Sequence, residues 1–219
     1  MPRSKKTRTR FSDRAASRHT RRLQQARMGV AAEAARIIAT EGQYNYHAAK
    51  KKAADRIGVS DRLALPSNIE VKEALYRYLD LYGGEAHDAN LLELRRTAAQ
   101  AMRMLEAFSP RLVGSVLDGT AGPHARIGLH LFAESSESVI LFFRERGIPF
   151  SQEQRQIRWF DGTHRPLELI VCELEGRTLE LAVFEPVHLR QAPPSPIDGK
   201  PQRRAPLTEV EVILAEQVA

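Results

Sequence analysis

Cysteine is the scarcest chemical resource in this chain: Cys172 is the only one in 219 residues. An internal disulfide and any cysteine-based zinc site are thereby excluded. Cys172 sits in a run of alternating apolar residues, where it reads as a small buried side chain rather than a nucleophile. No apolar run approaches the roughly 18 residues needed to span a bilayer. The basic N-terminus also lacks the apolar stretch of a signal peptide, so no membrane partner is expected and the cytoplasm is the expected location. Acidic residues are nearly missing from positions 1–27, which hold ten Lys or Arg against Asp13 alone, a net of +9. The whole chain carries +6, so the remainder carries −3, and the basic character belongs to the N-terminal segment. At 42% hydrophobic residues, the rest of the chain has enough apolar surface to bury a core.

What is present divides into five segments. Positions 1–20 form a polar, basic arm with too little apolar surface to fold alone, and are expected to be disordered. Arg3, Lys5, Lys6, Arg8 and Arg10 make it a candidate phosphate-contacting arm for nucleic acid. A helical domain is expected over 21–109. Ala31, Ala34, Ala35 and Ile38 share a helix face before Gly42, and Tyr46, Ala49, Ala53 and Ile57 do so before Gly58. The Lys50-Lys51-Lys52 run is expected to be a solvated helix face. Ser67-Asn68-Ile69-Glu70 has the spacing of a capping box, followed by a stripe of Val71, Ala74, Leu75, Tyr78, Leu79 and Tyr82. A fourth helix, capped by Asp88, carries Leu91, Leu94, Ala98, Ala101, Leu105 and Phe108, with Met102 and Met104 as core filler or surface.

Positions 110–190 read as mixed α and β. Arg111–Val113 is a short strand broken by Gly114-Ser115. After a loop of small residues, a second strand alternates Ile127, Leu129 and Leu131 on one face with Arg126, Gly128 and His130 on the other. A helix fits Ser136–Arg146. Three strands follow, Gln154–Phe160, Pro166–Glu173 and Arg177–Phe184, joined at Asp161-Gly162 and Glu175-Gly176. The fold class is therefore α+β. Five prolines make 191–206 an extended linker. Positions 207–219 close the chain as a helix, with a capping box over Thr208–Glu211 and a hydrophobic staple between Leu207 and Val212. That helix is expected to dock on the body.

Strand, Gly-Ser, about ten residues, then an alternating strand resembles the signature of the nucleotidyltransferase fold of the DNA polymerase beta superfamily. The resemblance is carried by PRLVGSVLDGTAGPHARIGLHLF, residues 110–132. It implies a small mixed sheet with flanking helices, in which the Gly-Ser turn receives a nucleotide triphosphate. Two alternating carboxylates on the next strand, and a third from a neighbouring strand, then hold divalent metal ions. At the paired-carboxylate positions this chain has Arg126 and Gly128. Glu180, with Glu168 as second choice, matches the third carboxylate. The full chain, including AAKKKAADRIG and LPSNIEVKEALYRYLDL, also looks like a group of bacterial proteins labelled nucleotidyltransferases. Some of these carry a cell-wall amino-acid ligase label, which does not fit here because the G-x-x-x-x-G-K-[ST] phosphate loop is missing.

With both strand carboxylates replaced, no catalytic residue, cofactor or metal site is assigned. The leading expectation is a non-catalytic relative that binds a nucleotide or nucleic acid, with Gly114, Ser115 and Arg126 as the phosphate site. A guanidinium at a metal position offers a fixed cation and two hydrogen bonds to phosphate oxygens. One alternative is an active enzyme with a displaced site built on Glu180 and Glu168, which would need Mg2+. Another is a protein-interaction module working through the helical half. His124 and His130 lack zinc-motif spacing, and Asp118 lies in the wrong loop to replace a strand acid.

Overall fold

The computed structural model describes residues 5–42, 45–159 and 161–218, with side chains from residue 18 to 217. It is an α+β protein in which helices precede a five-stranded mixed sheet. The chain forms two compact units, 1–78 and 79–219.

The first unit is built from α1 (Lys5–Glu41), α2 (Tyr46–Ile57), a 3-10 turn at Arg62–Ala64, and most of α3 (Asn68–Tyr82). Its core uses small residues at helical spacing: Val30, Ala34, Ala35 and Ile38 on α1, Ala49 and Ala53 on α2. Each helix boundary has a local cause. The side chain of Asn45 accepts from the amides of His47 and Ala48, and Gly58 ends α2 in the left-handed region at φ 70°. The capping box is reciprocal: Glu70 N donates to Ser67 Oγ at 3.2 Å, and Ser67 N to Glu70 Oε2 at 2.7 Å. Two expectations are corrected. The first helix begins at Lys5 rather than Arg21, so Lys5 to Thr20 lie on α1 and not in a disordered arm. A basic segment unable to build a core can still continue a helix that its C-terminal half nucleates. The stripe on α3 is also narrower than its sequence, since Val71 and Leu75 are buried but Tyr82 is 72% exposed.

The second unit begins inside α3 and includes α4 (Gly84–Met104). The division therefore falls after Tyr78, not at Pro110. Leu91, Leu94, Ala98, Ala101 and Met102 of α4, with Leu105 just after it, share one core with the sheet residues Ile127, Leu129, Leu131, Leu179 and Leu181. The stripe of α4 was legible, but which layer it covers is a long-range matter. Asp88 is inside α4 rather than its cap, because the helix already starts at Gly84.

The sheet comprises β1 (Arg111–Val113), β2 (Ile127–Phe132), β3 (Phe150–Arg158), β4 (His164–Leu174) and β5 (Arg177–Phe184). Its order is β1-β2-β5-β4-β3, with only β2 and β5 parallel. Between β1 and β2 the chain forms a short helix, α5 (Gly114–Asp118), where the sequence suggested a loop. Helix α6 (Ser136–Glu145) follows β2 and buries Val139 and Phe143. The last helix, α7 (Leu207–Val218), buries Val210 in the same core, while Val212 is 57% exposed. The docking expectation holds, but the staple does not: residue 210, not 212, faces inward.

The proline-rich segment is a folded strap rather than an extended linker. Ser195, Gly199 and Gln202 make turn hydrogen bonds within it. Ala205 then exchanges two 2.9 Å backbone bonds with Leu112 on the outer side of β1. Proline composition marked a segment without helix or long strand, and it did not exclude single-bridge pairing.

Candidate functional site

Backbone geometry places the Gly-Ser turn first. Gly114 has φ +74°, a left-handed value that disfavours side chains. It turns the chain from β1 directly into α5. The far end of α5 is held by Arg95 of α4, a buried guanidinium whose Nε donates to Val116 O at 3.1 Å and whose NH1 donates to Gln217 of α7 at 2.8 Å. Burial lowers the pKa of Arg95, with Arg203 adding to the effect. Nothing in the sequence distinguished Arg95 from the surface arginines beside it except its place on the apolar side of α4.

The strand register sets the rest. Val113 is opposite Gly128, and Gly128 is opposite Glu180. The start of α5 thus lies at the end of β2 where Arg126 enters, and Glu180 is on the same sheet face as Gly128. A Cβ built on Gly128 would meet Val113 Cγ2 at 3.2 Å. A side chain at 128 would therefore need Val113 to give way by a few tenths of an ångström.

The charges on this face close on one another. Arg126 NH1 is 3.4 Å from Glu180 Oε2 and 3.4 Å from Glu153 Oε2. Arg155 of β3 grips Glu180 bidentately at 2.9 and 2.8 Å. Two arginines and two glutamates cancel formally, and Glu180, the central member, is only 18% exposed. Glu153 and Arg155 were not singled out in the sequence, because only strand pairing brings them to Glu180. The anticipated second carboxylate is elsewhere: Glu168 accepts from the Gln154 side-chain amide at 2.8 Å and, by register, faces away from Glu180. Among the described residues no group of three His, Cys, Asp or Glu is arranged to hold a metal ion. Two shallow surface clefts, of about 280 and 350 Å³, are not lined by Gly114, Ser115 or Arg126.

His130 does not present itself to a ligand. It is buried, and its Nδ1 accepts from Nε of Arg204 in the strap at 2.9 Å. Arg204 NH1 also donates to His188 O at 2.6 Å, and its guanidinium lies 5.1 Å from the rings of both Phe132 and Phe184. Burial pushes the His130 pKa down to about 3, with the Arg204 charge adding to the effect. Cys172 is likewise buried, and burial pushes its thiol up to about 11, the opposite of an activated nucleophile.

The basic residues of the first unit sort into two classes. Glu41 binds Lys52 at 2.6 Å and Arg56 at 2.6 Å, and Glu33 binds Arg36 at 2.7 Å. Lys50 donates to Pro66 O at 3.1 Å. The lysine run is thus partly structural. By contrast Arg18, Arg21 and Arg22 are exposed on a part of α1 in which no described side chain is buried before Val30. Lys5, Lys6, Arg8 and Arg10 occupy helix positions further upstream, and Arg3 lies outside the described residues. The chain matches no known family model, no curated protein and no solved structure. No helix among the described residues is long and apolar enough to cross a membrane.

Proposed function

We propose that this protein is a non-catalytic, nucleotidyltransferase-like nucleic-acid-binding protein, and that α1 is its binding element. The observation that carries the reading is the basic half of α1, whose Arg18, Arg21 and Arg22 are exposed. From Lys5 to Arg27 it holds nine Lys or Arg and one acid, Asp13. Arg10, Arg14, Arg18 and Arg22 recur every four residues, so they line one face at about 6 Å intervals, comparable to the spacing of successive phosphates. A helix with that stripe neutralises phosphates in sequence and releases their counterions. The sheet face supports the non-catalytic half of the reading: Arg126 and Gly128 stand at the two strand positions, and Glu180 is already held by two guanidiniums. A nucleotide phosphate at Gly114 and Ser115 would compete with Glu153 and Glu180 for Arg126, which makes α1 the better anion site.

The test is fluorescence anisotropy with labelled single- and double-stranded RNA and DNA over a salt series. Neutralising four phosphates on a duplex gives a log–log salt slope of about −3.6, or roughly a hundredfold loss of affinity between about 50 and 200 mM salt. Reversing Arg18, Arg21 and Arg22 to Glu abolishes binding if α1 is the site. Binding that survives those changes, or a slope near zero, overturns the reading.

A further inference from the structure

The edge of the sheet at β3 is open. β3 ends the strand order, and every residue from Ser151 to Gln156 is exposed. Natural sheets usually guard such an edge with charge, proline or a bulge. β3 does carry charge at Glu153, Arg155 and Arg158, but it is nine residues long, without proline, and regularly paired with β4 along its whole length. Moreover β4 pairs with β5 only over Leu169–Leu174 but with β3 from His164 to Cys172. The outer hairpin thus projects past β5 as a two-stranded ribbon.

The sequence of this edge is complementary to itself. When a second copy is laid antiparallel with Gln154 opposite the partner's Gln154, Glu153 falls opposite the partner's Arg155, and Arg155 opposite the partner's Glu153. Gln152 then meets the partner's Gln156, and Ser151 the partner's Ile157. Directly opposed side chains in an antiparallel pair lie on one face with Cβ atoms about 5 Å apart, so opposite charges there attract and like charges repel. A slip by two residues in one direction sets Arg155 against the partner's Arg155, and in the other Glu153 against the partner's Glu153. A slip by one puts each side chain on the wrong face. The charges therefore do more than discourage pairing in general: they admit one register and penalise its neighbours. They also join the existing cluster, since Arg155 holds Glu180 of its own chain and Glu153 contacts Arg126.

We propose that β3 is a self-association strand, through which two copies of this chain form a two-fold symmetric dimer with a continuous ten-stranded sheet centred on Gln154. A single strand pair of this length, about 30 Å, makes a small interface, and the expected dissociation constant is on the order of micromolar to tens of micromolar.

Sedimentation velocity of the full chain across that concentration range tests the proposal. The wild-type protein passes from monomer to dimer, and Glu153→Arg or Arg155→Glu weakens association at least tenfold. The combined exchange Glu153→Arg/Arg155→Glu restores it, because the same register again opposes unlike charges. Should a charge variant fail to fold, a cross-link decides. Opposed residues in an antiparallel pair have Cα atoms about 4.5–5.5 Å apart, within disulfide reach. Gln154→Cys therefore yields a covalent dimer under mild oxidation, while Gln152→Cys does not, and buried Cys172 stays out of the reaction. A chain that remains monomeric throughout, or a dimer in which Gln154→Cys fails to cross-link, overturns the proposal.

Discussion

Arg204 is a cation held without a carboxylate partner among the described residues; its neighbours are an imidazole, a carbonyl and two phenyl rings. Burial pulls its pKa down to about 10, with Arg111 adding to the effect. His130 has to stay neutral to accept from it. The folded-state pKa of His130, about 3, is below the ordinary value of about 6.5. Between those values the unfolded chain binds the extra proton, so this contribution to stability is complete above pH 6.5 and shrinks as pH falls towards 3. In urea unfolding between pH 4.5 and 6, wild-type stability should fall more steeply than that of His130→Gln, by about 1.4 kcal/mol per pH unit. Equal slopes would mean that His130 takes up its proton in the folded protein. A second residue-scale expectation concerns chemistry. On the proposed non-catalytic reading, in which Arg126 and Gly128 replace strand carboxylates, purified protein should incorporate no radiolabelled nucleotide into itself, RNA or protein in Mg2+ or Mn2+. Incorporation that disappears in Glu180→Ala would instead establish an enzyme with a displaced site. Arg126, Gly128 and Glu180 were all readable as positions in a pattern. Arg155 and Glu153, which decide how Glu180 is used, were not, because strand pairing over 25 and more residues is invisible to local spacing.

Local chemistry predicted elements well where they are closed by their own residues. Ser67 and Glu70 cap α3 as their spacing requires, and Gly58 ends α2 in the left-handed conformation that glycine adopts most readily. It failed where closure comes from afar. The strap holds one bridge to Leu112 and one arginine in an aromatic cage, neither of which leaves a periodic trace. The two valines of α7 offer a direct comparison. Val210→Ala removes two buried carbons and should cost about 2 kcal/mol, whereas Val212→Ala at the exposed position should stay within about 0.5 kcal/mol. Chemical denaturation of both variants checks this, and equal effects would reverse the facing of α7. The N-terminal half of α1 gives the opposite case. No side chain described on α1 before Val30 is buried, so deleting residues 1–20 should change the unfolding free energy by no more than about 0.5 kcal/mol while removing the nucleic-acid affinity.

At the scale of the molecule, the unit boundary after Tyr78 was the least legible feature. Helix content alone assigned α4 to the helical half, yet its apolar side closes the core beneath the sheet. Residues 79–219 therefore contain a complete core and should fold without the rest. The only tryptophan of the chain, Trp159, is 8% exposed within this unit. Its fluorescence should give one cooperative transition in the 79–219 fragment. A fragment with a solvent-exposed tryptophan spectrum and no transition would show that the core depends on the first 78 residues.

The bridge between Ala205 and Leu112 has a consequence for stoichiometry. β1 is three residues long, and the outward-facing amide and carbonyl of Leu112 are both spent on Ala205. The strap thus terminates the sheet on that side, which leaves β3 as the open edge among the described strands. A molecule with one reactive end can pair but cannot polymerise. On the dimer proposed above, association through β3 is therefore expected to stop at two copies, with growth into fibres blocked by the segment whose composition most resembled a passive tether.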